Sequence, residues 1–561
     1  MNNGKICVSV CAETADGLLD LIRRAESLAD VVEVRFDCLN DEELDLAIAQ
    51  LRSENFSRPL LATFRPNENA DLTPAKRLYA NKEEEETHKR ESGRRFQKWL
   101  NILDIPAIRF ADFEYDIYSN LSWCMLFVNF WDSGYLAERQ RQLAAKLDGR
   151  KLILSEHYFL REKIDLVETY QRLATKTGTD NNVEGNEVHE MRFLNSPILK
   201  VATRSDEITE AIPVWQLLEK GKSDNNQVIP IAMGEAGKWT RILAPAHGAF
   251  MTYASLDTSS ETAPGQISAA DMIDVFRVKE LDGNTEVFGV IAADTSYSIS
   301  PLLQNAAFKA NKLNSVFVPL QVADLDTFFT RMVSPKTREV ELNFKGFAVT
   351  NPHKQAIMRH LDEIDETASR IGAVNTVKFE GRKLYGYNTD AEGFVGPLKN
   401  AYGDLTGTRV AVFGAGGAAR ACIYALQLEG ANVTLQARNQ EKGKLLAEEF
   451  GIAYREPPSD RQPLSVDFDI IVNTTPLGTA GRSADLSILV AEQLNGVKLV
   501  YDLVYNPAET LLIREAKKAG VKTIGGIEML IAQGAKQFEI WTGSTAPIAA
   551  MRTAVQKRLE I

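Results

Sequence analysis

Residues 5–278 alternate short apolar runs with longer stretches in which apolar and charged positions share a helical period. The apolar runs end near Cys11, Arg35, Arg65, Glu114, Glu156, Val201, Met233 and Tyr253, and charge-patterned stretches such as 15–28 and 41–51 lie between most of them. Eight strand–helix units over about 270 residues predict a (β/α)8 barrel, whose functional residues gather at the C-terminal ends of the strands. Two regions depart from the rhythm. Residues 80–150 hold more chain than one connection needs, including the apolar run 121–130, and 175–192 form a polar insertion that reads as an exposed loop. The run Glu83–Glu86 reads as a solvated helical face.

A helical stretch over 269–278 passes into Lys279-Glu280-Leu281-Asp282-Gly283-Asn284-Thr285, a polar linker, and alternation restarts at 287–291. The second half is again α/β, with a nucleotide unit beginning near Arg409. A chain of 561 residues is too long for one core, and two to four domains are expected. The net charge of −12 argues against a general polyanion-binding role, so no nucleic-acid partner is expected, while local arginines can still hold a small anion. The N-terminus enters a strand without a signal pattern, and the longest apolar run is too short to span a bilayer. Five scattered cysteines offer neither metal-ligand spacing nor a disulfide framework. Reduced thiols in a cytoplasmic compartment, or equally a plastid stroma, and no metal are therefore expected.

The barrel half places charges at strand ends. In Val31-Val32-Glu33-Val34-Arg35-Phe36 the two charges are two apart and share a face, the interior if Val34 meets the helices. Arg65 and His157 end two further strands, Lys200 lies inside 198–202, and Arg241 follows the seventh strand. A single strand lysine is ordinarily an edge residue, a single histidine a structural one, and a strand Glu/Arg pair a salt bridge. Gathered at one mouth, such groups are costly unless paired or used. A lysine in apolar surroundings near other cations can present a neutral amine to a ketone. The protonated imine that results acidifies the adjacent carbon, and a histidine can take that proton and return it to a leaving hydroxyl. Aldolase, decarboxylase and dehydratase chemistry all remain open on this ground.

In the second half, Arg409-Val410-Ala411-Val412-Phe413 is a short strand followed by Gly414-Ala415-Gly416-Gly417-Ala418-Ala419 and a helix. Glycines there permit a tight turn and close approach of a pyrophosphate to helix N–H groups. The next strand, 432–437, ends in Arg438, with Asn439 and Lys442 beyond it. An acid at that position would hold the ribose of NAD, whereas an arginine suits a 2′-phosphate and favours NADP. Before the nucleotide unit lie Ser298-Ile299-Ser300-Pro301, Val349-Thr350-Asn351-Pro352-His353-Lys354, Gly372-Ala373-Val374-Asn375-Thr376 and Asn388-Thr389-Asp390, a set suited to a polyhydroxylated substrate. A Lys/Asp pair can supply the proton that a ketone reduction needs. His353 reads as a helix-start residue. Met529, Gln533 and Gln537 are four apart and share one helix face.

The first half resembles type I 3-dehydroquinate dehydratase over 5–278. The resemblance rests on Glu33-Val34-Arg35-Phe36-Asp37, Thr63-Phe64-Arg65-Pro66, Ser155-Glu156-His157, Leu199-Lys200-Val201-Ala202-Thr203, Met233-Gly234-Glu235 running to Arg241-Ile242-Leu243, and Ala263-Pro264-Gly265-Gln266. It implies Lys200 as Schiff-base lysine, His157 as proton shuttle and Glu33 as the group positioning it, with Arg35, Arg65, Arg241, Thr262 and Gln266 on the substrate. Asn69 stands where that family usually has an acid followed by glycines, and Thr262 where it usually has serine.

The second half resembles shikimate dehydrogenase over 286–561, carried also by Asn473-Thr474-Thr475-Pro476, Asp502-Leu503-Val504-Tyr505-Asn506-Pro507 and Gly526-Ile527-Glu528-Met529-Leu530-Ile531-Ala532-Gln533. That likeness implies Lys354 and Asp390 as catalytic, and Ser298, Ser300, Thr350, Asn375, Tyr505 and Gln533 as substrate contacts. It implies Gly414, Ala415, Gly416, Gly417, Ala418, Arg438, Asn439, Lys442, Thr474, Thr475, Gly526 and Met529 as the NADP site. Gln304 replaces a common histidine and Ala348 a common Asn or Ser.

The whole chain is similar to fused dehydratase–dehydrogenases. The implied architecture is a TIM barrel over 1–280, a substrate and catalytic domain over 286–390 to which 536–561 return, and a Rossmann NADP domain over 391–535. The implied activities are dehydration of 3-dehydroquinate to 3-dehydroshikimate and NADPH-dependent reduction to shikimate. Quinate metabolism with NAD, or an inactive ligand-sensing regulator, are the alternatives.

Overall fold

The computed structural model of the protein describes residues 4–65, 94–114, 150–158, 198–458, 468–481 and 483–559, with short pieces between 142 and 171. The Asn69 region, the Glu83–Glu86 run, the apolar run 121–130 and the insertion 175–192 lie outside the described residues. The chain forms two compact units, Met1–Asn284 and Thr285–Ile561.

The first unit is a parallel sheet of β1 (Ile6–Val10), β2 (Val31–Arg35), β3 (Leu60–Thr63), β4 (Ile108–Glu114), β5 (Lys151–Tyr158), β6 (Ile198–Arg204), β7 (Val228–Met233) and β8 (Thr252–Ser255). They follow the order β7-β6-β5-β4-β3-β2-β1-β8. The Phe250 N–H donates to Val228 O at 2.9 Å across the β7–β8 gap, so the barrel is nearly closed. All eight strands fall where the apolar runs predict them. The helices between them are amphipathic. In α1 (Ala15–Ala25) the buried Ala15, Leu18, Ile22 and Ala25 make one stripe, and Thr14 Oγ1 caps the first turn by accepting from Gly17 N–H. Burying Leu18 and Ile22 contributes about 1.5–3 kcal/mol each. Asn40 caps α2 (Asp41–Ser53) in the same way.

Strand alternation layers the barrel interior. Cys7, Val31, Leu61, Phe110, Ile153 and Ile198 form an apolar floor. Two residues further along the same six strands stand Ser9, Glu33, Thr63, Asp112, Ser155 and Lys200, all buried. The apolar layer excludes water from below, and the polar layer faces the mouth.

The expectation of five reduced cysteines is corrected. Cys11 and Cys38 form a disulfide with a Cα–Cα distance of 5.8 Å. Each follows the C-terminal end of one of the paired neighbours β1 and β2, a proximity that a sequence separation of 27 conceals. Cys7 and Cys422 are free and buried.

The second unit carries two sheets. The first contains β9 (Glu286–Ala292), β10 (Ser315–Gln321), β11 (Phe344–Val349), β12 (Glu363–Ile364), β13 (Thr376–Glu380) and β14 (Lys383–Tyr387), in the order β10-β9-β11-β13-β14-β12. The second is wholly parallel: β15 (Arg409–Phe413), β16 (Asn432–Gln436), β17 (Ala453–Arg455), β18 (Ile470–Asn473), β19 (Leu499–Asp502) and β20 (Lys522–Ile524), in the order β17-β16-β15-β18-β19-β20. Strand order reverses at β15, the crevice where such sheets bind dinucleotides. Helices α3 (Ser300–Ala310), α4 (Asp390–Tyr402), α5 (Gly417–Leu428), α6 (Gln440–Phe450), α7 (Gly526–Thr542) and α8 (Ile548–Leu559) complete it. Phe538 and Trp541 of α7 and Met551 and Val555 of α8 share a core with Phe288, Phe308 and Phe317 of the first sheet and α3. The Trp541 indole donates to Val377 O at 2.9 Å, which pins the end of α7 to that sheet.

Candidate functional sites

In the barrel, Lys200 Nζ donates to Asp112 Oδ2 at 2.6 Å, lies 3.8 Å from Glu33 Oε1, and sits 4.3 Å above the Tyr253 ring. To the expected apolar floor and neighbouring arginines the structure thus adds two carboxylates and an aromatic face around the amine. Glu33 is fixed by Thr63 Oγ1, which donates to Oε1 at 2.8 Å, and by the Ser9 hydroxyl, which donates to Oε2. Burial raises the cost of the Glu33 charge, but Lys200, Arg35, Arg65 and Ser9 outweigh it and hold the carboxyl below its usual range. Asp112 Oδ1 is buried with no hydrogen-bond partner among the described residues. Asp112 and Tyr253 are functional candidates that sequence reasoning missed. Alternation alone did not single out Asp112, because Arg109 puts a charge on the other face of the same strand.

His157 stands at the mouth with Nε2 2.9 Å from Arg65 Nη2. A guanidinium only donates, so Nε2 accepts and Nδ1 carries the proton. Burial, then the charges of Arg65, Lys200 and Arg35, push the imidazole well below its ordinary range, so it is neutral near pH 7. Arg35 is clasped by Asp37, with Nε–Oδ1 at 3.0 Å and Nη2–Oδ2 at 2.6 Å, and not by Glu33. Arg241 is buried on the helix Lys238–Leu243, and desolvation lowers its guanidinium to about 10. Its Nη2 points at Pro264 O, 3.4 Å away. Gln266 Oε1 accepts from Thr262 N–H at 2.8 Å, so both belong to the loop after β8. Arg35 and Thr262 line a cavity of about 350 Å³ together with Ser9, Cys11 and Cys38.

In the second unit Lys354 Nζ donates to Asp390 Oδ2 at 2.6 Å, and Asn375 Nδ2 donates to Asp390 Oδ1 at 2.8 Å. Asn388 Oδ1 accepts from Asp390 N–H at 3.0 Å, so the start of α4 is fixed beside the pair. Thr350 follows β11, with its N–H on Ile291 O. Ser298 Oγ accepts from Ser300 N–H at 3.4 Å, at the entry to α3. Tyr505 meets the same entry. Burial and Tyr297 push its phenol up to about 12, partly offset by a bond from Ile299 N–H. Gln533 lies on α7, its Nε2 donating to Leu530 O at 2.9 Å. His353 bonds Val322 O at 2.6 Å through Nε2, a structural role.

The glycine turn lies between the ends of β16 and β18, with Gly414 at φ +117°. Gly414 N–H donates to Gln436 O and Thr474 N–H to Phe413 O. Thr475 Oγ1 donates to Asn473 Oδ1 at 2.7 Å. Gly416 caps α5, and among the described residues no side chain bonds its first turn. The helix therefore presents open N–H groups to an anion, which fits a dinucleotide pyrophosphate. A Cβ on Gly417 would come 3.0 Å from Lys354 Cδ, so the turn abuts the stem of Lys354. Ala415 and Ala418 are partly exposed beside it, and Arg438 and Lys442 are exposed past β16. Asn439 spends its Oδ1 on Lys442 N–H as the cap of α6. Gly526 opens α7, and Met529 is buried in the core beneath the turn. Among the described residues no cluster of His, Cys, Asp or Glu could hold a metal ion, and no helix is long and apolar enough to cross a membrane.

Residues 6–282 match the family model of type I 3-dehydroquinase. Residues 290–377 match the shikimate dehydrogenase substrate binding domain, and 526–556 the shikimate 5′-dehydrogenase C-terminal domain. The chain is 30% identical to the chloroplastic bifunctional 3-dehydroquinate dehydratase/shikimate dehydrogenase of Arabidopsis thaliana, over 97% of this chain and 83% of that protein. It is 39% identical to the NADP(+) shikimate dehydrogenase of Methanopyrus kandleri, over 50% of this chain and 98% of that protein. A shikimate 5-dehydrogenase structure from Thermus thermophilus, in complex with NADP(H) and shikimate, is 34% identical at a TM-score of 0.43, over 48% of this chain and 98% of that one. The eight-stranded barrel with its caged lysine and the α/β unit with its Lys–Asp pair thus occur in one chain with a relative that spans both, and the chain belongs to the bifunctional 3-dehydroquinate dehydratase/shikimate dehydrogenase family.

Proposed function

We propose that the first unit dehydrates 3-dehydroquinate through an imine on Lys200 and that the second reduces the resulting 3-dehydroshikimate to shikimate with NADPH. The observation that carries the reading is the cage around Lys200: an amine 2.6 Å from a base, with a neutral histidine at the same mouth. Asp112 takes a proton from Lys200, and the free amine attacks the ketone carbon. Asp112 returns that proton to the carbinolamine hydroxyl, which leaves as water, and the protonated imine draws electrons from the adjacent carbon. His157 removes a proton there and returns it to the leaving hydroxyl, which departs as water. Hydrolysis of the imine frees the product and restores Lys200. Arg65, engaged with His157 Nε2 in the free chain, turns to the substrate carboxylate and so releases that lone pair. Arg35, Arg241, Thr262 and Gln266 line the same mouth and bind the carboxylate and hydroxyls.

For the second step, residues 286–390 with 536–561, joined by Tyr505 and Gln533, hold the substrate, and the rest of 391–535 the dinucleotide. NADPH, when bound, supplies the hydride. Gly414 to Ala418 with Thr474 and Thr475 take the pyrophosphate end, and Arg438 and Lys442 the 2′-phosphate. Lys354, oriented by Asp390, donates to the developing alkoxide, while Ser298, Ser300, Thr350, Asn375, Tyr505 and Gln533 bind the ring substituents.

A coupled assay tests both sites together: 3-dehydroquinate with NADPH should consume NADPH, and faster than the same assay with NADH. Borohydride with 3-dehydroquinate should attach label to the intact protein and not to Lys200→Ala. Labelling that survives in Lys200→Ala would sink the imine assignment. Equal turnover of quinate and shikimate with NAD would replace the reduction reading.

A further inference from the structure

Beneath the Lys354–Asp390 pair runs a chain of buried amides and hydroxyls that reaches across to α7 and α3. Asn375 is its hub. Its Oδ1 accepts from Thr389 N–H at 2.9 Å and from the Thr376 hydroxyl at 2.8 Å. With the carbonyl end so occupied, the amide can face Asp390 only with its NH2, which donates to Asp390 Oδ1 and to Thr389 Oγ1. The Thr376 hydroxyl is the second donor on that carbonyl, beside the Thr389 N–H, and Gln537 sets its direction. Gln537 Nε2 lies 3.1 Å from Thr376 Oγ1 and 3.1 Å from Asn375 O. An NH2 donates to both, which leaves the Thr376 proton to point at Asn375. Gln537 Oε1 in turn accepts from Gln304 Nε2 at 3.4 Å, and Gln304 also donates to Gly534 O at 3.0 Å. Gln304, Thr376, Asn375, Gln537 and Asp390 are each at most 4% exposed, so water does not stand in for a lost partner.

We propose that Gln537 is a positioning residue for the reduction: it orients Asn375 through Thr376, and Asn375 holds the carboxylate that aims Lys354. Gln304 fixes the flip of Gln537. The inference rests on the reading of Lys354 and Asp390 as the reducing pair. The α7 neighbours of Gln537 four and eight residues back, Gln533 and Met529, share its side of the helix but have other partners: Gln533 Nε2 donates to Leu530 O, and Met529 packs in the nucleotide core.

The test uses the full chain. Gln537→Met keeps bulk and removes both bonds. Gln537→Glu keeps shape and the acceptor for Gln304 but puts a carboxylate oxygen where Nε2 donated to Thr376 Oγ1 and Asn375 O. For both, kcat for shikimate oxidation should fall about ten- to a hundredfold, the range seen when supporting hydrogen bonds behind a reacting group are removed. KM for NADP should stay within twofold. Shikimate deuterated at the reacting carbon should show a larger isotope effect on kcat than with the unmodified chain, because the chemical step has become slow. Dehydratase turnover, carried by the other unit, should be unchanged and reports a folded chain. If Lys354→Met and Asp390→Asn lose activity while both Gln537 variants keep their kcat and isotope effect, the positioning role is overturned and the reducing pair stands. If Lys354→Met and Asp390→Asn stay active, the pair itself is misassigned. A Gln537 variant that raises KM for NADP as much as it lowers kcat shows general disruption of α7 and also overturns the proposal.

Discussion

Asp112→Asn should separate the chemistry of the barrel from its stability. The carboxylate accepts from Lys200 at 2.6 Å, with Glu33 the next anion at 3.8 Å. At an effective dielectric of 20 these distances correspond to attractions of about 6 and about 4 kcal/mol before desolvation. Removing one partner of a buried pair costs about 3–5 kcal/mol. Asparagine keeps an acceptor, and Glu33 remains, so the lower end, about 3 kcal/mol, is expected. For a unit of this size that is a fall of about 5 °C in its melting transition, read by calorimetry on the intact chain. The chemical effect should be larger in proportion. Without the base that receives the Lys200 proton, borohydride trapping with 3-dehydroquinate should slow about a hundredfold or more. Shikimate oxidation by NADP serves as internal control, since Asp112 lies in the other unit. Trapping at the unmodified rate in a chain that melts lower would mean that Asp112 only braces Lys200. An unchanged rate and an unchanged melt would mean that the ion pair contributes nothing.

Three further outcomes follow from the geometry. Because burial and Arg65 depress the His157 imidazole in the folded state, its stabilising contribution is complete above the ordinary histidine value and is lost as pH falls toward the folded one; the barrel transition should drop as pH falls below about 6.5, and calorimetry at each pH should find that drop shallower in His157→Asn. Arg438→Ala should raise KM for NADPH about tenfold or more while leaving KM for NADH nearly unchanged, as one lost charge-assisted contact to a phosphate requires, and initial-rate kinetics with both cofactors decide. Joint replacement Cys11→Ser and Cys38→Ser opens a loop with a sequence separation of 27 and should cost the first unit about 3.5 kcal/mol, visible as a lower denaturant midpoint with dehydrogenase turnover intact.

What the sequence exposes, and what it hides, divides by how far the determining atoms lie apart along the chain. The glycine turn was legible because its chemistry is backbone geometry held in adjacent residues, from the strand ending at Phe413 to the first turn of α5. The inward facing of Glu33 and Arg35 was legible because two charges interrupt an apolar strand at one period. The same logic failed at β4, where Arg109 and Asp112 put charges on both faces and alternation alone selects neither. There the register decides: a shift between Leu60 and Leu61 sets Thr63 opposite Asp112, and the next pairings bring Ser155 opposite Lys200, so acid and amine meet. Hidden for the same reason are the Cys11–Cys38 bridge, the contact of Gly417 with Lys354, and the turn of Gln537 toward Asn375. Each is a choice among several chemically equivalent partners, made by strand or helix placement over tens to hundreds of residues. An isolated motif can therefore state that a lysine will react. Which carboxylate receives its proton is a property of the packed barrel, and that is why the decisive mutation lies at Asp112, outside every motif that pointed to the site.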